Sequence, residues 1–291
     1  MGVKSMSKPL PRITIVTPSF NQGRFIEEAI ESVADQNFSS IEHLIVDGGS
    51  NDETLNILKR RSEAPGGGNV KWKSEPDSGQ SAALNKGFRL ATGEIIGWLN
   101  SDDRYRSGCF ETVSQGFALN PEVDIIYGDY TVINETGGLI KTCREIEFNS
   151  FVLRYHRVLY IPSTSTFFRR RIFSDENWLN EHFHYAMDAD FFIRLSEAGY
   201  RFKHIPALVA DFRLHSEGKS CKKTALMLKE REYITRTHSK LLQRWRSPSL
   251  FKIALACMKN TAAAMRYAEK MSRGYYCAPE SRENYEYAEN L

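Results

Sequence analysis

The chain has 291 residues, 41% of them apolar and 26% charged, and its 39 Lys and Arg against 36 Asp and Glu leave a formal net charge of +3. That length allows one large domain with a full core, or one domain with an appendage, and the near balance of charge gives no electrostatic reason to expect nucleic acid as a partner. Five cysteines, Cys109, Cys143, Cys221, Cys257 and Cys277, form no CxxC pair; they fit a reducing compartment where cysteine is a small core residue, and they argue against a cysteine-built metal site.

The opening MGVKSMSKPLPR lacks the apolar stretch of a secretory signal. Met1-Gly2 begins like a myristoylation signal, but that pattern wants Ser or Thr where Met6 stands. A flexible leader is expected instead. No run reaches the roughly 18 apolar residues that span a bilayer. The nearest, SLFKIALACMKNTAAAM, is broken by Lys252 and Lys259. The cytoplasm is the expected location.

Ile13–Thr17 is a β-branched run ending at Pro18 and predicts a buried strand. In RFIEEAIESVADQ the apolar positions Phe25, Ile26, Ala29, Ile30, Val33 and Ala34 share one helical face. His43–Asp47 predicts a second strand, followed by the turn GGSND. Ser50 and Glu53 have capping-box spacing and predict a helix through Lys59. Val70–Ser74 alternates like a strand, SGQSAALNKGFRLATG reads as a helix ending at Gly93, and EIIGWLNSDD starts as a strand and ends in acids. A helix around Phe110–Leu119 and the strand VDIIYGDYTVI follow.

The second half is less regular. ETGG predicts a hairpin turn, and MDADFFIRLSEAGY a helix over Asp188–Ala198 stopped at Gly199. FKHIPALVADFRLH reads as one or two short strands. From Lys222 onward the pattern is helical and basic. The tail after Gly274 is polar and Tyr-rich, so loose order is expected there.

Strands and helices alternate with short links, which predicts βαβ units, a mostly parallel sheet and an α/β sandwich. Ligands of such sheets bind outside the carboxyl ends of the strands. Polar clusters fall at four such ends: Pro18-Ser19, Asp47-Gly48-Gly49, Glu75-Pro76-Asp77 and Ser101-Asp102-Asp103.

Asp102 and Asp103, adjacent after a buried strand, must be solvated, paired or metal-bound. Hard oxygen ligands suit Mg²⁺ or Mn²⁺ bridging to substrate phosphates, but a solvated turn explains the pair equally. Asp47 before two glycines could accept hydrogen bonds from a base or ribose, or simply end a strand. Asp188 and Asp190 at a helix start could cap it or supply a general base. His215 could be structural or a metal ligand. Taken singly, the residues leave these alternatives open.

Their order and spacing, from ITIVTPSFNQGRFIEEAIESVADQ through HLIVDGGSNDET and SEPDSGQSAALNKGFRLATGEIIGWLNSDD to MDADFFIRL and FRLH, resemble the family 2 glycosyltransferases with the GT-A fold, and most of all those that build bacterial surface polysaccharides. The resemblance implies an inverting transfer of a sugar from a nucleoside-diphosphate donor, UDP-linked by preference, to a hydroxyl of a saccharide or polyprenol-linked saccharide, assisted by Mn²⁺ or Mg²⁺. It implies that Pro18 and Ser19 line the nucleotide pocket, Asp47 binds the base, and Asp77 and Lys86 lie along ribose and phosphates. Asp102 and Asp103 match the acidic metal motif, His215 a late metal ligand, and Asp188 the catalytic base with Asp190 as runner-up. It divides the chain into a leader (1–11), a catalytic domain (12–216, nucleotide-binding over 12–130 and acceptor-binding over 131–216) and a basic helical extension (217–291).

Three positions depart from the pattern. Asn100 stands where many relatives carry Asp, and Met187 where the acidic pair has its first member. Gln243-Arg244-Trp245 misses the QxxRW spacing of processive synthases, so processive polymerisation is not expected. A sugar nucleotidyltransferase would need a Gly-rich basic loop after the first strand, where this chain has PSFNQG. A degenerate transferase kept as a binding or scaffolding protein is the non-enzymatic alternative. For the extension, the expectations are a helix packed on the catalytic domain, a homodimer surface, or peripheral contact with an anionic membrane.

Overall fold

The computed structural model describes residues 10–64, 67–156, 158–219, 225–244 and 247–275. β1 (Ile13–Ser19), α1 (Ile26–Ala34), β2 (Ile41–Asp47), α2 (Thr54–Glu63), β3 (Val70–Ser74), α3 (Gln80–Leu90) and β4 (Ile95–Trp98) build the first half. Then come β5 (Arg104–Tyr105), α4 (Cys109–Leu119), β6 (Ile125–Ile133), β7 (Leu139–Cys143), α5 (Ser150–Tyr155), β8 (Thr166–Arg169), α6 (Arg171–Ser174), α7 (Met187–Glu197) and β9 (Phe202–Arg213). Helices α8 (Ala225–Thr237), α9 (Lys240–Gln243) and α10 (Pro248–Ser272) complete the described residues.

These residues form one nine-stranded sheet in the order β3-β2-β1-β4-β8-β6-β9-β5, with β7 beside β6. β1 runs parallel to β2 and β4, β2 to β3, and β6 to β9, while β8, β7 and β5 pair antiparallel. The mostly parallel α/β architecture is therefore as expected.

The two faces of the sheet follow from strand alternation. Ile13 and Ile15 pack with Ala29 and Val33 of α1 and with Phe110 and Val113 of α4, while Val16 packs with Leu84 and Phe88 of α3 and with Phe191 and Phe192 of α7. A Cβ at Gly87 would lie 2.2 Å from Val16 Cγ1, so only glycine lets α3 approach β1 this closely.

The structure differs from the sequence expectations where local signals are short. β5, β8, α5 and α6 are two to six residues long, too short for a periodicity to register. FKHIPALVADFR is one strand, and its register against β6 jumps from Ile205 to Leu208, past Pro206, which has no N–H for the ladder. The capping box does not form. Ser50 Oγ bonds Asp47 and Asn21 instead, and Asp52 accepts the Thr54 N–H at 3.0 Å where the helix starts.

The basic extension packs back on the domain. Arg266 and Lys270 of α10 pair with the fully buried Glu145 at 2.7 and 3.4 Å, and Arg236 of α8 lies 3.9 Å over the Phe251 ring. Several cations that meet few acids in the sequence thus meet them, or an aromatic face, in space. Among the described residues no helix is long and apolar enough to cross a membrane. Cys109, Cys143 and Cys257 are free. Cys221, Cys277, the leader through Pro9, Lys222, Lys223, Trp245 and most of the tail lie outside the described residues.

His43 is buried on β2 with Nε2 2.9 Å from Thr17 Oγ1, and burial pushes its pKa down to about 3. Between about pH 6.5 and 3 the unfolded chain binds a proton that the folded chain refuses, so stability falls as pH drops, by at most about 1.4 kcal/mol per pH unit. Urea unfolding from pH 7 to 4.5, above the range where carboxylates dominate, is expected to show this slope in the wild type and a flatter one in His43→Met.

Candidate active site

The loops at the carboxyl ends of β1 to β4 are stitched together. Gly48 N–H bonds Ser19 O at 2.8 Å, Glu75 N–H bonds Asp47 O at 3.0 Å, and Ser101 Oγ donates to Pro18 O. The four polar clusters expected at these ends therefore do converge.

Ser19 Oγ is buried and finds no hydrogen-bond partner among the described residues, an acceptor and donor left for a ligand at the end of β1. Asp47 is different. Its carboxylate is 0% exposed and accepts Gly49 N–H (3.1 Å), Ser50 N–H (2.8 Å), Ser50 Oγ–H and Ser74 Oγ–H (2.7 Å). The enclosed carboxylate braces the β2 and β3 loops. Asp77 takes the exposed place. It is half-buried, accepts Gly79 N–H at 2.8 Å, and overhangs Gly48 so closely that a Cβ there would come within 3.2 Å of its carboxylate. Lys86 pairs with Glu75 at 3.1 Å, beside the same loop.

Asp102 and Asp103 part company. Asp103 is 1% exposed and turned into the fold, where Thr164 Oγ, Asn100 Nδ2 (3.0 Å) and the Arg213 N–H (2.8 Å) donate to it. Burial, and then the Asp102 charge, push its pKa up. Asp102 instead faces His215, with Oδ2 2.9 Å from Nε2. Among the described residues no group of three or more His, Cys, Asp and Glu gathers as a metal site; of Asp102, Asp103 and His215, the first and last face each other directly. The pair suits a divalent cation. A carboxylate oxygen and an imidazole nitrogen 2.9 Å apart are both donors that such an ion accepts.

Asp188 opens α7. Burial raises its pKa, opposed by the Ala189 N–H at 2.7 Å and by the charges of Arg231 and Lys219. Asp190, one turn face away, is locked to Arg194 at 2.8 Å and to His238 at 3.5 Å. The Lys219 ammonium donates to Gln80 Oε1 (2.9 Å) and His184 O (3.3 Å), and it feels the charges of both Asp102 and Asp188. One cation thus links the Asp102–His215 pair to the start of α7.

Sequence reading missed Arg213 and the hydrogen-bond network of Asn100, a residue it singled out only as a departure from the family pattern. Arg213 is buried, with Nε on Asp102 O (2.8 Å), Nη1 on Glu135 O (2.9 Å), Nη2 on Glu28 (2.6 Å) and its guanidinium 5.2 Å over Phe25. Asn100 accepts from Trp98 Nε1 and Gln80 Nε2, both at 2.9 Å. A buried arginine two residues before His215 was the only sequence signal for the first. None pointed to the amide network.

The family model described as glycosyl transferase family 2 matches residues 14–190, more than half of the chain. The chain belongs to glycosyltransferase family 2. This transferase is 29% identical to a chondroitin synthase of Escherichia coli over 74% of its own length and 31% of the relative's, and 27% identical to a hyaluronan synthase of Pasteurella multocida over 76% and 22%. It therefore spans a third or less of the length of these synthases. Its fold matches S. aureus TarS 1-349 in complex with UDP-GlcNAc (TM-score 0.66, 14% identity, 94% of this chain and 77% of that one). It also matches mannosyltransferase PcManGT from Pyrobaculum calidifontis in complex with GDP-Man and Mn²⁺ (TM-score 0.57, 20% identity, 90% and 75%).

The contrast between Asp47 and Asp77 is testable. Asp47→Ala strands four donors in the interior and is expected to cost this transferase about 3 kcal/mol in urea unfolding. Asp77→Ala is expected to stay within about 0.5 kcal/mol of wild type.

Proposed function

We propose that this chain transfers a sugar, with inversion, from a nucleoside-diphosphate sugar to a hydroxyl of a saccharide or lipid-linked saccharide. The observation that carries the reading is the Asp102–His215 pair, 2.9 Å apart, with Lys219 close enough to feel the charges of both Asp102 and Asp188. Family membership and the fold shared with structures holding UDP-GlcNAc and GDP-Man support it, and the saccharide-polymer names of the relatives support the acceptor class.

In this reading Pro18, Ser19 and Asp47 receive the nucleoside, with Asp47 on the base side and Asp77 along the ribose. Asp102 and His215 would hold Mn²⁺ or Mg²⁺, with Asp103 beside them fixing the direction of Asp102. The cation, when bound, offsets charge that builds on the leaving diphosphate. Lys219 adds a second positive charge on that side. The acceptor oxygen attacks the anomeric carbon from the face opposite the phosphate, the carbon–oxygen bond to the diphosphate breaks with its electron pair, and the acceptor proton passes to Asp188. A single displacement needs no second catalytic carboxylate.

A thermal-shift screen of UDP, GDP, dTDP and CMP, each with and without Mn²⁺, tests the donor side. One nucleoside diphosphate is expected to stabilise the wild type only with Mn²⁺, by about 2.7 kcal/mol at a hundredfold excess over Kd, and Asp102→Ala should lose the effect. If no nucleotide shifts the wild type, the degenerate scaffold reading replaces this one.

The base has its own test. Asp188→Asn is expected to lower kcat about 10²- to 10⁴-fold while leaving the nucleotide shift intact. Because only the ionised carboxylate accepts a proton and burial raises its pKa, wild-type turnover should fall with decreasing pH above the ordinary carboxylate range of about 4.

A further inference from the structure

The segment that delivers Asp188 is held by a residue outside the family match. Glu230 of α8 is 6% exposed, and its carboxylate accepts three consecutive backbone amides: His184 N–H on Oε1 at 2.9 Å, then Tyr185 N–H and Ala186 N–H on Oε2 at 2.8 and 3.0 Å. These amides lead directly into α7, whose first turn carries Asp188. Helix starts leave amides unpaired, and Asn, Asp, Ser or Thr at the N-cap normally satisfies one of them. The N-cap here is Ala186, which has no side chain to do so.

We infer that Glu230 is a positioning residue for the catalytic base: the extension reaches back and clamps the turn that carries Asp188. The inference rests on the proposed role of Asp188. Only a carboxylate offers acceptors to all three amides at once, since a neutral amide turns donor hydrogens toward at least one of them. Charge assists as well, because an anion at a helix start opposes the positive end of the dipole.

α8 is registered on α7 at two points. Glu230 holds the start, and His238 holds the middle and end by pairing with Asp190 at 3.5 Å and Glu197 at 2.8 Å. Ile234, between them, belongs to the main core. Arg231, next to Glu230, and Lys219, whose Nζ donates to His184 O at 3.3 Å, are the charged groups that act on the Asp188 carboxylate besides its own helix. The clamp therefore sets both where Asp188 sits and which charges it faces. The basic extension, read from sequence as a packing helix or a membrane contact, becomes part of the transferase site.

Hydrogen exchange of the full chain decides this without a sugar donor. In Glu230→Ala the amides of 184–186 are expected to exchange at least about tenfold faster than in wild type, with Glu230→Gln between the two. A ¹³C-carboxyl titration should show Asp188 moving down toward the ordinary carboxylate value as the turn opens to water in Glu230→Ala. His238→Ala, which loosens the other contact, should lower global stability yet leave 184–186 protected. Wild-type exchange over 184–186 in both Glu230 variants, or equal loss of protection in His238→Ala, overturns the inference. Should Glu230→Ala not fold, Glu230→Gln carries the comparison against the same two controls. If Asp188→Asn turns over like wild type while the exchange results hold, the clamp stands and the assignment of the base falls instead.

Discussion

The site depends on one buried carboxylate. Asp103 sits at the end of β4 at 1% exposure, and a carboxylate taken out of water that far survives only with several donors. Thr164, Asn100 and the Arg213 amide supply them, and they come from the stretch before β8, from the end of β4 itself, and from β9. Satisfying Asp103 therefore fixes three separate stretches of chain against each other. It also fixes the direction of its neighbour: with Asp103 turned inward, Asp102 turns outward to His215, which stands two residues beyond Arg213.

The same network explains Asn100. Its carbonyl accepts from Trp98 and Gln80, while its amide donates to Asp103. A carboxylate there could accept the first two bonds but could not donate, and it would set a second negative charge against Asp103. The departure from the family pattern is a consequence of the inward turn of Asp103. It does not by itself signal a lost activity, because Asp102 and His215 remain paired at 2.9 Å.

Sequence reading reached the parts of the fold that carry long, clean periodicity. The strands over 13–19, 41–47 and 70–74 and the helices over 26–34 and 80–90 are amphipathic or β-branched runs of five or more residues, and their order alone implies the sheet. The site was legible as a set of polar strand ends, since the parallel topology forces those ends together. Which carboxylate faces in and which faces out was not legible. Asp47 and Asp77, or Asp102 and Asp103, differ only in partners that lie elsewhere in the chain: Ser74 for Asp47, Thr164 and Arg213 for Asp103, His215 for Asp102. Ser50 misled for a different reason: its hydroxyl is taken by the neighbouring Asp47 carboxylate and the Asn21 backbone amide, not by a cap. The role of Glu230 was hidden most completely, since nothing within α8 marks a carboxylate that caps another helix.

Asp188 and Asp190 show how environment divides labour between identical side chains on one helix turn. Asp188 has a half-buried setting whose desolvation raises its pKa against the Ala189 N–H, so it holds a proton more readily than a free carboxylate. Asp190 is buried, but His238 and Arg194 outweigh that burial and hold its pKa down. A base must accept a proton during the reaction and release it afterwards, which favours the carboxylate whose pKa moves toward the working pH. A permanently paired carboxylate serves instead to anchor. Since the ion pair of Asp190 runs through His238, which directly follows α8, and the amides before Asp188 run to Glu230 of that helix, the division depends on the extension. The structural unit that holds Asp188 and Asp190 in place thus extends past residue 190, where the family match ends, to include α8.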